Sequence, residues 1–220
     1  EALAARRHCL DQAIDYSRLQ LPRAWLPLLA DEAKRAGIEF MCTVYLPVDI
    51  AVIAPYVQRF KIASFESHDR KFVQYHYGYS KPVIISTGLH THDSLLDLRD
   101  AMPRNLIMSL LYCVSAYPCP PDDLCLNVIR EYKLQGFSDH TGLVDTGMLA
   151  VAAGASILEV HYMAPGTNPK NPDVPHSHRP RELALYISKA RAADRMMGEY
   201  PARRMIASSE QNLVSYKVTG

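Results

Sequence analysis

The sequence has little of several features that would point to particular protein classes. Its five cysteines are an odd number in a chain of 220 residues, which argues against a disulfide framework. Cys113, Cys119 and Cys125 recur at equal intervals with five residues between them. Structural zinc sites favour closer pairs, with about two to four residues between cysteines. We therefore expect neither structural disulfides nor a zinc site.

The sequence also has almost no excess of positive over negative charge. Lys and Arg number 24 and Asp and Glu 23, giving a net charge of +1, and no Lys/Arg-rich run stands out. Neither nucleic acid nor a membrane surface is therefore expected as a partner. The longest apolar runs, such as LIMSLLYCVSAY, are too short for a membrane span, and EALAARRHCLDQ lacks the apolar core of a signal peptide. We expect a reducing, cytoplasmic setting.

Nucleotide-binding motifs of the G-x-G-x-x-G and G-x-x-x-x-G-K-[ST] kinds are absent from the sequence. What it has instead is an alternation of β-rich runs and helical stretches, which predicts right-handed βαβ units and a parallel sheet. The predicted strands are 38–45, 59–65, 81–88, 106–113, 134–140 and 155–162. The predicted helices are 21–37, 93–102, 122–133, 142–155 and 179–198.

Polar residues at the strand ends distinguish between two parallel folds. Almost every predicted strand ends in a chemically useful side chain, from Thr43 in the first to His161 in the last. In a barrel the carboxyl ends of all strands converge on one site, whereas in an open sheet only a few do. We therefore predict an α/β fold of the TIM (β/α)₈ type with six βα units visible. The predicted division is a helical or irregular segment at 1–20, the barrel domain at 21–200 and a tail at 201–220.

Two histidines are the strongest candidates for chemistry. His140 and His161 each end a predicted strand, and neighbouring barrel strands would bring them together across the mouth. Two neutral imidazoles leave other coordination positions to water, carboxylate or substrate, as Lewis-acid catalysis requires. The alternative is that one or both merely hydrogen bond in the core or at its rim. Asp139 and Glu159, beside them, are either carboxylates that orient the histidines or solvated loop residues.

Further candidates follow other strands. Ser64 and Glu66 share one strand face with Ile62. Glu66 could therefore bind substrate hydroxyls or act as a general base. Lys61 lies on the opposite face of the strand and would reach the pocket only if the strand twists or bulges. Ser86 and its neighbours Thr87 and Gly88 suit a phosphate or carboxylate.

Two loops also carry candidates. Tyr117 lies in the proline-rich loop 116–123, where it could contact a ligand. The polar segment 164–178 has the length of a lid or binding loop and contains Asp173, His176 and His178. For these two histidines, exposed loop positions are the expectation.

Taken together, the motifs resemble the sialic acid synthase family, which makes N-acetylneuraminate, legionaminate and pseudaminate. The resemblance runs from about residue 21 to 198. It is carried, in order and spacing, by GIEFMCTVYLP, FKIASFE, KPVIISTG, LLYCVSAYPCPPDDLCLNVI, GFSDHTG, AVAAGASILEVHY and NPD.

The resemblance implies a metal-assisted condensation of phosphoenolpyruvate with the open-chain aldehyde of an N-acyl-hexosamine. It places the metal, Mn²⁺ first and Mg²⁺ or Co²⁺ as alternatives, on His140 and His161. It also implies a homodimer. The family's phosphoenolpyruvate contacts fall on Thr43, Lys61, Ser64, Ser86, Ser115 and Ser138. Its sugar contacts fall on Glu66, Tyr117 and Asp173.

The sequence also departs from the family pattern. The E-I-G-x-N-H-x-G first strand, the V-K-F-Q second strand and the antifreeze-like domain are not in these 220 residues. Phe65 takes the place of a common glycine, as in the pseudaminate branch. These departures leave open the identity of the sugar. They also leave two alternatives: a related barrel synthase or aldolase acting on another aldehyde, and a degenerate barrel that binds a sugar without turnover.

Overall fold

Six parallel strands form the framework of the protein. A computed structural model describes residues 20–103 and 105–198, so the predicted segment 1–20 (save its last residue) and the tail 201–220 lie outside the described residues. The sheet order follows the chain, from β1 at one edge to β6 at the other, and every neighbouring pair is parallel. The strands are β1 Phe60–Ile62, β2 Val83–Ser86, β3 Met108–Cys113, β4 Gly136–Asp139, β5 Ile157–Tyr162 and β6 Ser177–His178.

Helices connect successive strands between β1 and β5 and pack against the sheet, and two further helices precede β1. Their bounds are α1 Leu26–Arg35, α2 Pro47–Ile53, α3 Arg70–Tyr77, α4 His92–Asp100, α5 Asn127–Glu131, α6 Thr146–Ala152 and α7 Pro180–Met197. Short 3₁₀ turns lie at Arg23–Trp25, Glu66–His68, Pro121–Asp123 and Val174–His176. The six strands pair in chain order, all parallel, with the helices on one face of the sheet, and so form a half-barrel. This arrangement agrees with the predicted TIM-type fold with six βα units. Helices α2 and α3 were not predicted.

Local sequence explains where several helices begin. The Asp69 carboxylate accepts hydrogen bonds from the backbone N–H groups of Lys71 and Phe72 and so caps α3. Thr91 caps α4 by accepting from the Ser94 N–H. These caps follow β1 and β2 closely, so each chain segment turns back onto the outer face of the sheet.

The first predicted strand is wrong. Residues 38–45 form only an isolated parallel bridge between Thr43 and Lys61, and β1 is the strand it pairs with. Ile38 and Met41 within this segment are 66% and 42% exposed, so the residues that the structure describes do not cover the segment as they would cover an inner barrel strand. The sixth strand lies elsewhere, at β6, inside the segment 164–178 that the sequence predicts to be a loop.

Successive side chains along each strand point to opposite faces of the sheet, outward to the hydrophobic core or inward to the barrel interior. Outward residues such as Phe60, Ile62, Val83 and Ile85 belong to the hydrophobic cluster between the sheet and its helices. The intervening positions face inward, and several of them are polar. Inward-facing polar residues near the strand ends therefore share one enclosed space.

No helix among the described residues is both long and apolar enough to span a membrane.

Candidate active site

A lysine, a serine and a glutamate from three strands meet inside the half-barrel. Lys61 Nζ lies 2.9 Å from Ser86 Oγ and 3.3 Å from Glu159 Oε2, and Ser86 Oγ donates to the same carboxylate oxygen at 3.2 Å. Lys61 is only 7% exposed, so its ammonium lies almost entirely within the protein. The parity prediction is wrong here, because β1 ends at Ile62 and it is Lys61 that faces inward. Ser64 and Glu66 follow in a turn beyond the strand, where strand alternation does not apply.

The Glu159 carboxylate is held in its charged form. Burial alone would raise its pKa, but the Lys61 ammonium opposes this effect, as do hydrogen bonds from Ser138, Lys61 and Ser86. The net effect is a pKa of Glu159 below its usual value. Glu159 lies in strand β5 rather than in a loop, and its side chain is partly exposed. The carboxylate contacts the ammonium of Lys61 rather than a histidine ring.

Hydroxyl groups crowd around Gly88 next to this ion pair. The Ser64 Oγ accepts a hydrogen bond from the Gly88 N–H at 3.1 Å. A Cβ on Gly88 would lie 2.1 Å from Ser115 Oγ and 2.8 Å from Ser64 Oγ, so only glycine permits this approach. The Ser115 hydroxyl lies beside the Cys113 thiol and makes no ordinary hydrogen bond to the described residues. The result is a small cradle of hydroxyls and a backbone N–H.

Three histidine rings and a tyrosine ring cluster at the carboxyl ends of the strands. The His140 and His161 ring centroids are 5.3 Å apart, edge to face, and Tyr117 lies over His140 at 4.3 Å. His140 Nδ1 lies 3.0 Å from the Val114 carbonyl oxygen, which can only accept, so Nδ1 carries the proton and Nε2 the lone pair. Burial lowers the pKa of His140 and keeps the ring neutral. The predicted convergence of His140 and His161 is confirmed by these distances.

The third ring belongs to His176, for which the sequence predicted an exposed position. That prediction is wrong, since His176 and His178 are each only 1% exposed. The 3₁₀ turn Val174–His176 and strand β6 fold the end of the predicted loop against β5, and His161 pairs with Ser177 there. Burial and the neighbouring His161 lower the pKa of His176 to about 4.

Donor atoms from this region are close enough to share a cation. One atom each from His161, Asp173 and His176 lie within 4.8 Å of one another. Asp173 Oδ1 is 3.6 Å from His176 Nε2, and Asp173 Oδ2 is 4.0 Å from His161 Nδ1. Two imidazoles and a carboxylate are a donor set that suits divalent transition metals.

Other predicted residues fall around these groups. Glu66 is buried in the 3₁₀ turn after β1, and Ser138 is buried in β4 beside Glu159. Thr43 is half-buried at the bridge to Lys61.

Asp139 plays neither of the two parts considered for it. It is 2% exposed and accepts hydrogen bonds from Thr141, Thr146 and Tyr186, so it fixes the loop after β4 to α6 and α7.

Sequence reasoning named Glu159 and His176 but predicted neither the contact of Glu159 with Lys61 nor the burial of His176. The inward direction of Glu159 could have been predicted, because Glu159 and His161 are two apart on one strand and so share a face. His176 offered no such signal. Its burial depends on a two-residue strand in a polar segment, and no periodicity marks so short an element.

Several curated proteins similar to this chain are sugar-acid synthases. The chain is 31% identical over 156 residues to pseudaminic acid synthase of Campylobacter jejuni, a match covering 67% of this chain and 46% of that protein. It is 30% identical over 206 residues to N,N'-diacetyllegionaminic acid synthase of Legionella pneumophila, covering 83% and 57%. It is 30% identical over 154 residues to human N-acetylneuraminate-9-phosphate synthase, covering 67% and 42%. The chain thus spans about half the length of these relatives.

Solved structures agree on the fold. An N-acetylneuraminic acid synthetase from Leptospira borgpetersenii superposes with a TM-score of 0.82 at 24% identity, covering 90% of this chain and 70% of that one. A truncated 3-deoxy-D-arabino-heptulosonate 7-phosphate synthase from Thermotoga maritima superposes with a TM-score of 0.67 at 16% identity, covering 80% and 74%. At these identities the likeness concerns the fold alone.

The sequence also matches the NeuB family model over residues 6–201, which is most of its length. With this match, and with relatives at 30% and 31% identity over two thirds of its length or more, the chain belongs to the NeuB family.

Proposed function

We propose that this chain is the barrel part of a synthase that condenses phosphoenolpyruvate with an N-acyl-hexosamine aldehyde. In the proposed reaction, C3 of phosphoenolpyruvate forms a bond to the aldehyde carbon, whose oxygen takes up a proton. Water adds at C2, the bond between C2 and the phosphate oxygen breaks, and inorganic phosphate leaves with a sialic-type acid as the product. The observation that carries the proposal is the juxtaposition of the inward-facing Lys61–Ser86–Glu159 group with the histidine cluster at one end of the half-barrel.

The anion is proposed to bind in the hydroxyl cradle beside Lys61. A phosphate or carboxylate accepts hydrogen bonds from hydroxyls and backbone N–H groups, and an ammonium strengthens them. Gly88 supports this assignment, because a side chain there would fill the space between the Ser64 and Ser115 hydroxyls. The residues proposed to hold phosphoenolpyruvate are Thr43, Lys61, Ser64, Ser86, Ser115 and Ser138.

A divalent cation is proposed at the histidine cluster, held by His140 and His161, with Mn²⁺ expected and Mg²⁺ or Co²⁺ as alternatives. The residues fit such an ion, since both rings are near one another and His140 Nε2 keeps its lone pair. When bound, the ion would supply Lewis-acid polarisation of the aldehyde oxygen. The chain's own part is to hold the rings neutral and oriented through the Val114 carbonyl.

The sugar is proposed to lie between the cluster and the outer rim. The exposed Asp173 carboxylate and the partly exposed Tyr117 ring stand at the mouth, where hydroxyls of an incoming sugar would meet them. Glu66 is proposed to bind a sugar hydroxyl or to move a proton near the aldehyde carbon.

Phosphate release by the full-length protein tests the proposal. We expect release when phosphoenolpyruvate is supplied with at least one member of a panel of N-acyl-hexosamines, and none without an aldehyde. Release only with another aldehyde, such as a sugar phosphate, would identify a related barrel synthase instead. Absence of release with every aldehyde would favour a binding protein.

Replacing either proposed metal ligand tests the cation. His140→Ala and His161→Ala are each expected to abolish metal-dependent phosphate release, because loss of one imidazole leaves the cation too weakly held. His92→Ala, which removes an exposed histidine at the start of α4, is the matched control. Full turnover in either site variant would rule out the proposed metal site.

A further inference from the structure

The His176 ring is buried but has no hydrogen-bond partner in the part of the chain that the structure describes. Neither of its ring nitrogens makes a hydrogen bond to the described residues, although the side chain is only 1% exposed. Buried polar groups in folded proteins nearly always have a partner, so an unpaired imidazole needs an explanation. Three explanations are open: a core histidine held by packing alone, a partner in Asp173, and a bound cation.

Packing alone describes His178 better than His176. The His178 ring also has an unpaired nitrogen, but it packs against Tyr186 with centroids 5.0 Å apart and touches the core beneath α7. His176 instead contacts the functional residues, with ring centroids 4.5 Å from His161 and 5.3 Å from Tyr117. It therefore belongs to the mouth of the half-barrel.

Asp173 is close to His176 but not hydrogen bonded to it. The distance of 3.6 Å between Asp173 Oδ1 and His176 Nε2 exceeds that of a hydrogen bond, and the carboxylate is largely exposed. Asp173 Oδ2 stands in a similar relation to His161 Nδ1, at 4.0 Å. One carboxylate thus lies between two imidazole nitrogens without binding either.

The two separations that involve Asp173 are short enough for ligands around a shared ion. Two ligand atoms about 2.1 Å from one cation can lie no more than about 4.2 Å apart. The distances from Asp173 to the two rings, 3.6 and 4.0 Å, are already inside that limit. All three donor atoms lie within 4.8 Å of one another, so a contraction of about half an ångström would complete the set.

We propose that His176 is a third imidazole ligand of the site, acting with His161 and Asp173 beside His140. The inference deepens the proposed function and rests on its cation. Imidazole ligands favour Zn²⁺, Fe²⁺ and Co²⁺, whereas carboxylate and water suit Mg²⁺. An additional imidazole therefore makes the site selective for transition metals over Mg²⁺.

The test is binding of Co²⁺ and Mg²⁺ to the full-length protein without phosphoenolpyruvate or sugar. We expect His176→Ala to weaken Co²⁺ binding at least about tenfold, by analogy with lost metal-site residues, and to change Mg²⁺ binding less than about threefold. Pulsed electron paramagnetic resonance of bound Mn²⁺ should show one fewer coordinated imidazole nitrogen in the variant. His92→Ala is the control and should bind both ions like the parent protein.

Two results would overturn the inference: an unchanged Co²⁺ affinity, or an unchanged number of imidazole nitrogens on Mn²⁺. Circular dichroism checks that His176→Ala folds, and His176→Asn replaces it if it does not, since asparagine keeps a polar group in the buried position. The outcome is independent of turnover. If the parent protein releases no phosphate, the proposed reaction is contradicted. If His176→Ala nevertheless loses one imidazole nitrogen signal on Mn²⁺, the third ligand is still supported.

Discussion

At the scale of single residues, Gly88 has the most specific requirement in the proposed anion site. Its backbone N–H donates to Ser64, and the space that a side chain would occupy holds the Ser115 hydroxyl. A serine hydroxyl can rotate away from an added methyl group, so alanine is expected to alter the cradle without breaking the fold. The change would therefore appear in substrate binding.

We predict that Gly88→Ala raises KM for phosphoenolpyruvate about tenfold and leaves KM for the sugar unchanged. Displacing one hydroxyl from a charged ligand costs about 1.5 kcal/mol, which corresponds to this factor. Steady-state phosphate release measures both constants. Gly78→Ala is the control, because a Cβ there would meet only Tyr75 O at 3.8 Å, an ordinary contact. An unchanged KM for phosphoenolpyruvate would place the anion elsewhere.

At the scale of elements, the pairing of β4 with β5 brings the site together. These strands carry Ser138 and Glu159 opposite one another, and they end beside His140 and His161. Gly136 at the start of β4 allows the close contact, because a Cβ there would lie 2.2 Å from the Ile157 carbonyl oxygen. Backbone atoms cannot rotate out of the way as a side chain can.

Gly136→Ala is therefore expected to lower the free energy of unfolding by about 2 kcal/mol, the usual cost of overpacking. Urea unfolding followed by circular dichroism measures the change, with Gly78→Ala again as the reference. Equal midpoints for Gly136→Ala and the parent protein would show that the strands separate at little cost.

The contact of α7 with β4 depends on a buried carboxylate. Tyr186 is 2% exposed and its hydroxyl donates to Asp139 Oδ2 at 3.1 Å. Tyr186→Phe should lower the free energy of unfolding by about 1 kcal/mol, the net value of one hydrogen bond, while leaving Co²⁺ affinity unchanged. Tyr75→Phe, at a position that is 54% exposed, is the control for urea unfolding. A large loss of metal affinity in Tyr186→Phe would mean that Asp139 also positions His140.

The elements also show how far the sequence could be interpreted. Strands β1 to β5 lie within predicted strands, because each belongs to a run rich in Ile, Val, Phe or Tyr that is followed by polar residues, a pattern that survives small errors at the ends. His140 and His161 followed from the same pattern, whereas His176 did not. Segment 38–45 has a β propensity similar to that of the observed strands. Among the described residues, however, it pairs only with β1, through a single bridge, so it does not form a regular strand. Strand β6 has two residues and owes its existence to tertiary contacts alone.

At the scale of the whole molecule, histidines that are neutral in the fold make stability depend on pH. Burial lowers the pKa of His76, and burial together with the neighbouring His68 lowers the pKa of His90 to about 4. In the unfolded chain these rings titrate near pH 6.5. Between about pH 6.5 and 4 the unfolded chain binds protons that the folded protein does not, which favours unfolding.

We therefore expect the free energy of unfolding to be highest above about pH 6.5 and to decrease as the pH falls toward about 4. Urea unfolding at a series of pH values measures the decrease. His90→Gln should make it shallower, because glutamine takes up no proton. An identical pH dependence in the variant and the parent protein would show that His90 is solvated as in the unfolded chain.

The contact of Lys61 with Glu159 has a consequence for how a ligand enters. Before any ligand arrives, the ammonium already has a carboxylate as its counter-ion. Phosphoenolpyruvate must displace the Glu159 carboxylate from the Lys61 ammonium, so binding exchanges one anion for another rather than neutralising an unpaired positive charge. The released carboxylate would then lose the interaction that keeps it deprotonated, and its affinity for a proton would rise. Calorimetry in buffers of different ionisation enthalpy would register this coupling as proton uptake from the buffer when phosphoenolpyruvate binds.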